Sequence, residues 1–223
     1  MITSRDNERL KLVRKLHERR WRDKLGLFVV EGEDLVAAAT AEPVDVLRAG
    51  EDVEPRLLAE IATAGHPPRV IAVYRRDDLP GWEERPVTLA LWRLSDPGNV
   101  GTLIRTADAF GAAVALSDGC ADPASPKALR ASAGSIWRVP LGPWACANLA
   151  QTRVALVAHG GRPLGEVDLS GRVAFLLGAE REGLPAEVER DVEATIPLAG
   201  AESLNVAAAG AIALYDWSRR SGV

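Results

Sequence analysis

The chain has 223 residues, 47% of them hydrophobic and 26% charged, with a formal net charge of −4. That balance suits an ordinary globular chain of one large or two small domains, and its acidic sum excludes a protein that coats nucleic acid indiscriminately. No apolar run reaches the ~20 residues that span a bilayer, Met1–Asp6 lack the apolar core of a signal peptide, and two cysteines outside any CxxC pair with three histidines argue against a zinc site, so a reducing cytoplasm is the expected home.

Residues 7–20 place Leu10, Val13, Leu16 and His17 on one face and predict an amphipathic helix. The stretch 5–24 is locally basic, and Arg14, Arg19, Arg20, Arg22 and Lys24 are its candidate phosphate contacts. The other reading of this run is a solvated helix face. Leu27–Val30 reads as a strand, Glu31-Gly32 as a turn into a helix over 34–40, then come a strand at 44–47, a helix at 55–64 and a strand at 69–73. Alternation of this kind predicts a small α/β layer over residues 1–78. The charged segment 77–86, broken by Pro80, Gly81 and Pro86, marks the boundary to a second domain over 87–223.

In that second part, Val87–Trp92 is a strand, and Val100, Leu103, Ile104, Ala107 and Phe110 fall at helical spacing. A strand at 113–116 precedes an irregular stretch to Gly134, and strands follow at 154–158, 174–177 and 194–197. These runs are apolar throughout, as in a parallel sheet covered on both faces. The last helix, 206–219, is rich in Ala and carries Gly210, which suits close packing against another helix. The six tryptophans are scattered and read as packing residues.

Three loops carry the candidate chemistry. They are Asp96-Pro97-Gly98-Asn99-Val100-Gly101 with Arg105 following, Leu177-Gly178-Ala179-Glu180-Arg181-Glu182-Gly183, and Ile196 to Asn205 with Ser203 and Leu204. Glycine lets a ligand approach the backbone, and polar residues at helix starts present oriented donors. Taken alone, Asn99, Ser203 and Asn205 can be helix caps, Arg105 can pair with Asp108 at i+3, and Glu180 can belong to a surface turn. Ile196, Leu198 and Leu204 offer an apolar lining that fits an adenine ring. A competing reading takes Gly98 to Gly101 after a strand as a dinucleotide turn, with Asp118 after the next strand, but the full G-x-G-x-x-G is missing.

In order and spacing the three loops resemble the motifs of the SpoU-type (TrmH-like) RNA ribose 2′-O-methyltransferases, a branch of the SPOUT trefoil-knot methyltransferases. The likeness covers residues 87–223, and the stretch from Ser4 to Gly32 is similar to the small RNA-binding domain that precedes the catalytic domain in many members. The resemblance implies an α/β fold whose C-terminal parallel sheet carries a trefoil knot, S-adenosylmethionine as cofactor, a homodimer, no metal and no membrane. It also implies RNA as substrate, ribosomal RNA ahead of transfer RNA, with a non-catalytic RNA-binding protein on the same scaffold as the alternative. It places Arg105, Asn99, Glu180, Ser203 and Asn205 in catalysis and Gly178, Leu177, Ile196, Leu198 and Leu204 at the cofactor. Two positions depart from the pattern: Leu198 stands for a usual Met and Ala207 for a frequent Ser.

Overall fold

The single basic helix expected over 7–20 is two helices, and one arginine explains the break. In the computed structural model, which describes residues 1–222, α1 (Glu8–Leu16) starts on an Asn7 cap and stops at His17. Glu18 is extended, with φ −95° and ψ 133°, before α2 (Arg19–Leu25) begins. Arg22 turns inward, its side chain 3% exposed, and its guanidinium donates to the carbonyls of Leu16 and His17 at 2.8 and 2.9 Å. Those carbonyls end α1 and would otherwise lack partners. Its Nε donates to Asp122 at 2.6 Å. Arg22, expected to touch phosphate, is therefore buried structure and leaves the set of available basic residues.

Five further elements complete the N-terminal unit: β1 (Leu27–Glu31), α3 (Glu33–Ala37), β2 (Asp45–Arg48), α4 (Pro55–Ile61) and β3 (Val70–Arg75). The strands form an antiparallel sheet in the order β1-β3-β2. Side chains alternate across it. Val29, Ile71 and Val73 meet Leu10, Val13 and Leu58 on the α1–α4 side, while Phe28, Val30, Ala72 and Tyr74 face Leu129, Ile136 and Trp137 of the C-terminal unit. The Trp137 ring lies 5.6 Å from Phe28 and 4.9 Å from Tyr74. Both faces of β1 and β3 are buried, so those two strands read as nearly continuous apolar runs.

Each unit also lends the other a buried carboxylate. Asp122 accepts from Arg22 and, at 2.5 Å, from Arg76. Glu31, its side chain 1% exposed, accepts from the Thr63 amide and hydroxyl at 3.0 Å, with Arg130 at 3.5 Å and His17 at 3.4 Å. Burial pushes the Glu31 carboxyl up, but the nearby His17 and the hydrogen bonds from Thr63 outweigh it and hold the group below the usual carboxylate range. A depressed folded-state pKa gives stability that is complete above the unfolded value of about 4.3 and is lost as pH falls through the folded value. Glu31→Gln should therefore flatten the acid limb of a thermal-stability curve below about pH 4.3. An unchanged acid limb would assign that loss to other carboxylates.

The C-terminal unit runs β4 (Val87–Leu91), α5 (Pro97–Ala109), β5 (Ala113–Leu116), α6 (Pro126–Ser132), β6 (Leu141–Pro143), β7 (Thr152–Leu156), β8 (Arg162–Pro163), β9 (Val173–Leu177), β10 (Val192–Thr195) and α7 (Val206–Ser221). Its seven strands form one sheet in the order β6-β5-β4-β9-β7-β10-β8. All its pairs are parallel. β9 enters between β4 and β7, with Leu91 and Leu156 both beside Leu177. The loops that leave β4, β9 and β7 thus emerge side by side at the carboxyl edge, where open parallel sheets bind ligands. Helices α5 and α7 cover one face and pack together, with Gly210 against Leu103. Among the described residues, no helix is long and apolar enough to cross a membrane.

Two boundaries differ from the sequence expectation in a way that matters. β7 and β10 each end two residues earlier than the apolar runs suggest; Val157 still donates its amide to Ala194 at 2.9 Å, and Ala158 and Ile196 lie past the paired residues. The stretch expected to be irregular contains α6, seven residues started by a Ser125 cap that accepts from Ala128.

Candidate active site

At the start of α5 the cap is Asp96, not Asn99. Its Oδ1 accepts from the amides of Gly98 and Asn99 at 2.6 and 3.0 Å, and its Oδ2 takes the Lys127 ammonium at 2.7 Å. The lysine first, then the amides, hold this carboxyl below its ordinary range. The Asn99 side chain is thereby released from capping. Its Nδ2 donates to Glu180 at 3.1 Å and its Oδ1 accepts from Asn205 Nδ2 at 3.1 Å.

One end of this chain of bonds fixes the rest. Asn205 caps α7, its Oδ1 accepting from the amides of Ala207 and Ala208 at 2.9 and 3.3 Å. With its oxygen committed, its amino group must point at Asn99, which then turns its own amino group to the Glu180 carboxylate. A single hydrogen-bonded thread joins the three loops, and each amide has one workable orientation.

The loop after β9 closes on itself. Ala179 and Gly183 exchange backbone hydrogen bonds of 3.1 and 2.9 Å, leaving Glu180, Arg181 and Glu182 at the tip. Gly178 sits inside this closure. A Cβ there would lie 2.2 Å from the Gly183 carbonyl carbon and 2.4 Å from the Leu184 nitrogen, so the backbone itself excludes any side chain. The glycines that suggested a dinucleotide turn have another cause. A Cβ on Gly101 would lie 2.3 Å from the Ala128 carbonyl oxygen, because α5 and α6 touch there.

Beside the thread lies a pocket of about 500 Å³. Leu177, Gly178, Glu180, Ile196, Leu198, Ser203, Leu204 and Asn205, all expected at the site, line it. Leu198 is 37% exposed, an apolar surface open to a flat ring. Sequence reasoning missed Leu156, Val157, Ala158, Arg181 and Ala209. The signal for the first three was available, since β7 is the other neighbour a strand like β9 needs.

Arg105 stands apart. It is exposed, and it has no ion-pair partner among the described residues. Asp108, the expected i+3 partner, is held instead by Arg138 at 2.5 Å. Six residues beyond Asn99, Arg105 is about 9 Å further along the helix and about 120° around it, and it does not line the pocket.

The basic helices are only partly free. Arg14 donates to the Arg5 carbonyl, and Arg19 donates to the Cys120 carbonyl and faces Asp23. Arg20 pairs with Glu18 at 2.7 Å yet remains on the surface. The Trp21 ring gathers Lys15, Arg20 and Lys24 at 5.2, 5.6 and 5.2 Å from its centroid, so the exposed cations centre on a half-buried indole. Among the described residues no group of three or more His, Cys, Asp or Glu is placed to hold a metal ion.

Comparison with known proteins gives a family and a fold. The sequence profile of the SpoU rRNA methylase family matches residues 86–215, and that of an MRM3-like substrate binding domain matches residues 7–75. The chain is 34% identical to the 23S rRNA (guanosine(2553)-2′-O)-methyltransferase RlmP of Bacillus subtilis, over 96% of this chain and 97% of that one. It is 30% identical to the 23S rRNA (guanosine-2′-O-)-methyltransferase RlmB of Acinetobacter baylyi, covering 88% and 89%. An AdoMet-bound rRNA methyltransferase from Sinorhizobium meliloti superposes with a TM-score of 0.87 at 30% identity, over 98% and 97% of the two chains. The SpoU methyltransferase AviRb of Streptomyces viridochromogenes, in complex with AdoMet, gives 0.84 at 27% identity, over 96% and 98%.

Proposed function

The chain belongs to the SpoU rRNA methylase family, and from that premise we propose that it transfers a methyl group from S-adenosylmethionine to a ribose 2′-hydroxyl of ribosomal RNA. The observation that carries this reading is the Glu180–Asn99–Asn205 thread lying along a backbone-lined apolar pocket. The residues present fit the cofactor. Gly178 lets the Ala179–Gly183 loop close beside the pocket, and Ile196, Leu198 and Leu204 supply an apolar bed for an adenine ring.

When bound, S-adenosylmethionine supplies an electrophilic methyl group on a sulfonium. The chain's part is alignment, since a displacement that neutralises charge needs reacting atoms in line more than a strong acid or base. Glu180, oriented by Asn99 at the pocket edge, accepts a hydrogen bond from the substrate ribose. Ser203, which lines the pocket, offers a second hydroxyl contact. Arg105 acts as a clamp on the neighbouring phosphate, its guanidinium offering a planar fork of donors that matches the phosphate oxygens. The hydroxyl proton leaves to a phosphate oxygen or water.

Residues 1–78 serve as the RNA-binding unit and 87–223 as the catalytic unit, with the C-terminal segment threaded as a trefoil knot. The protein works as a homodimer in the cytoplasm, where its substrate is. Ile212 at 38% and Tyr215 at 60% exposure give α7 an apolar outer face suited to self-association, and a second protomer offers a way to complete a site from which Arg105 stands apart.

The RNA dock centres on Lys15, Arg20 and Lys24 around Trp21. Changing these three to Gln should weaken RNA binding and reduce its salt slope by about two units, at about 0.7 per phosphate on a single strand, while S-adenosylmethionine affinity stays at the parent value. A triple variant with the parent's slope would make this surface a solvated face only. The substrate assignment is tested by offering the purified protein labelled S-adenosylmethionine with ribosomal or transfer RNA. Ribosomal RNA should accept the label, and acceptance by transfer RNA alone would reverse the assignment.

A further inference from the structure

Most arginines of the C-terminal unit face a carboxylate, as Arg138, Arg153, Arg172, Arg190 and Arg220 do. Arg93, on the loop between β4 and α5, has no ion-pair partner among the described residues. Its side chain is exposed, and Asp118 in the facing loop forms no ion pair with it. It is also, among the described residues, one of two non-glycine residues with positive φ, at +49°. An L-residue is strained there, and such strain persists only where surrounding contacts impose it. Those contacts are present. The Arg93 amide donates to Ser117 Oγ at 2.8 Å, the stem lies against Gly119, and the guanidinium sits 5.6 Å from the Trp92 ring centroid. Trp92 is itself fixed, edge-on to Trp144 at 5.0 Å and with its amide bonded to the Leu177 carbonyl at 2.8 Å.

The position is as informative as the geometry. Arg93 is three residues before the Asp96 cap and so borders the Asn99 thread. On its other side, the loop of Ser117 and Gly119 continues to Cys120 and Asp122, the two residues on which α2 is seated through Arg19 and Arg22. Two adjoining loops, that of Arg93 and that of Ser117 to Asp122, thus link the segment of the Asn99 thread to the seat of α2. A guanidinium stacked on an indole keeps its donor edge free for a phosphate, and its fork is pre-oriented.

We propose that Arg93 binds a phosphate of the substrate RNA strand between the α2 dock and the reacting ribose, and so sets the register in which the target nucleotide arrives. This rests on the RNA methyl-transfer reading above. The discriminating variant is Arg93→Gly, which removes the cation while relieving the positive-φ strain. Calorimetry with S-adenosylmethionine, thermal denaturation, and the salt dependence of binding to bulk ribosomal RNA are compared between parent and variant. The variant should keep cofactor affinity, melt at or above the parent temperature, bind RNA several-fold more weakly, and lose about one unit of salt slope. Its KM for RNA should rise more than its kcat falls. An unchanged slope beside an active parent would overturn the role of Arg93 alone, as would a variant that loses cofactor affinity and stability together. A parent that binds RNA but transfers no methyl group would overturn the functional reading and leave the slope comparison to judge Arg93.

Discussion

Arg105→Ala is expected to lose methyl transfer by about 10²–10³-fold, the scale of losing one positioned transition-state contact, while keeping the parent's S-adenosylmethionine affinity and melting temperature. The side chain is exposed and unpaired, so folding draws nothing from it, and it is not part of the pocket wall. What it can contribute is a bidentate grip on a phosphate next to the reacting hydroxyl. Arg105→Lys should recover only part of the rate, because a point charge cannot reproduce the fork. Single-turnover transfer at saturating cofactor checks both. A fully active lysine variant would show that charge alone suffices, and a large drop in melting temperature for the alanine variant would make Arg105 structural.

Gly178 should be equally intolerant, at the cofactor step. The short distances place an added Cβ against the backbone of Gly183 and Leu184, which cannot yield as a flexible side chain does. Even Gly178→Ala must therefore open the Ala179–Gly183 closure, and Gly178→Val more so. Opening that loop displaces Glu180 from Asn99 and reshapes the pocket wall, so calorimetry should detect no S-adenosylmethionine binding by the valine variant. The core beneath, with Phe175 and Leu177 buried in β9, should keep the chain folded by circular dichroism. Parent-like cofactor affinity in the valine variant would move the pocket elsewhere. The cause differs from what the sequence suggests: the residue guards the shape of the loop, and bulk there strikes the loop before it reaches a ligand.

What could be read from the chain follows the range of the interactions. The apolar runs of β4, β5 and β9 were legible because a doubly covered strand needs no pattern beyond hydrophobicity. The three loops were legible from glycines and polar residues after those strands. Not legible was anything set by a contact over long separation. The break at His17 depends on Arg22 reaching Asp122 one hundred residues away, and local periodicity carries no trace of it. Helix α6 left no apolar period to read, because Leu129 is the one large apolar side chain among its seven residues. Asn99 taken alone can be a cap, and only the resemblance gives it a site role; the physical ground for that role is Asp96 taking the cap and Asn205 arriving from 106 residues on. Residues 157–158 and 196 looked like strand because they are apolar, and they are apolar because they line the pocket.

The most direct measurement is the chemical position of the transferred methyl group. Purified protein is incubated with S-adenosylmethionine carrying a labelled methyl and with ribosomal RNA from cells that lack this protein, and the product RNA is digested and its nucleosides separated. The account predicts label in one 2′-O-methylated nucleoside, protected as an alkali-resistant dinucleotide because the hydroxyl that would attack the phosphate is blocked, and its near-absence with Arg105→Ala. Label on a base, with no alkali-resistant product, would contradict it.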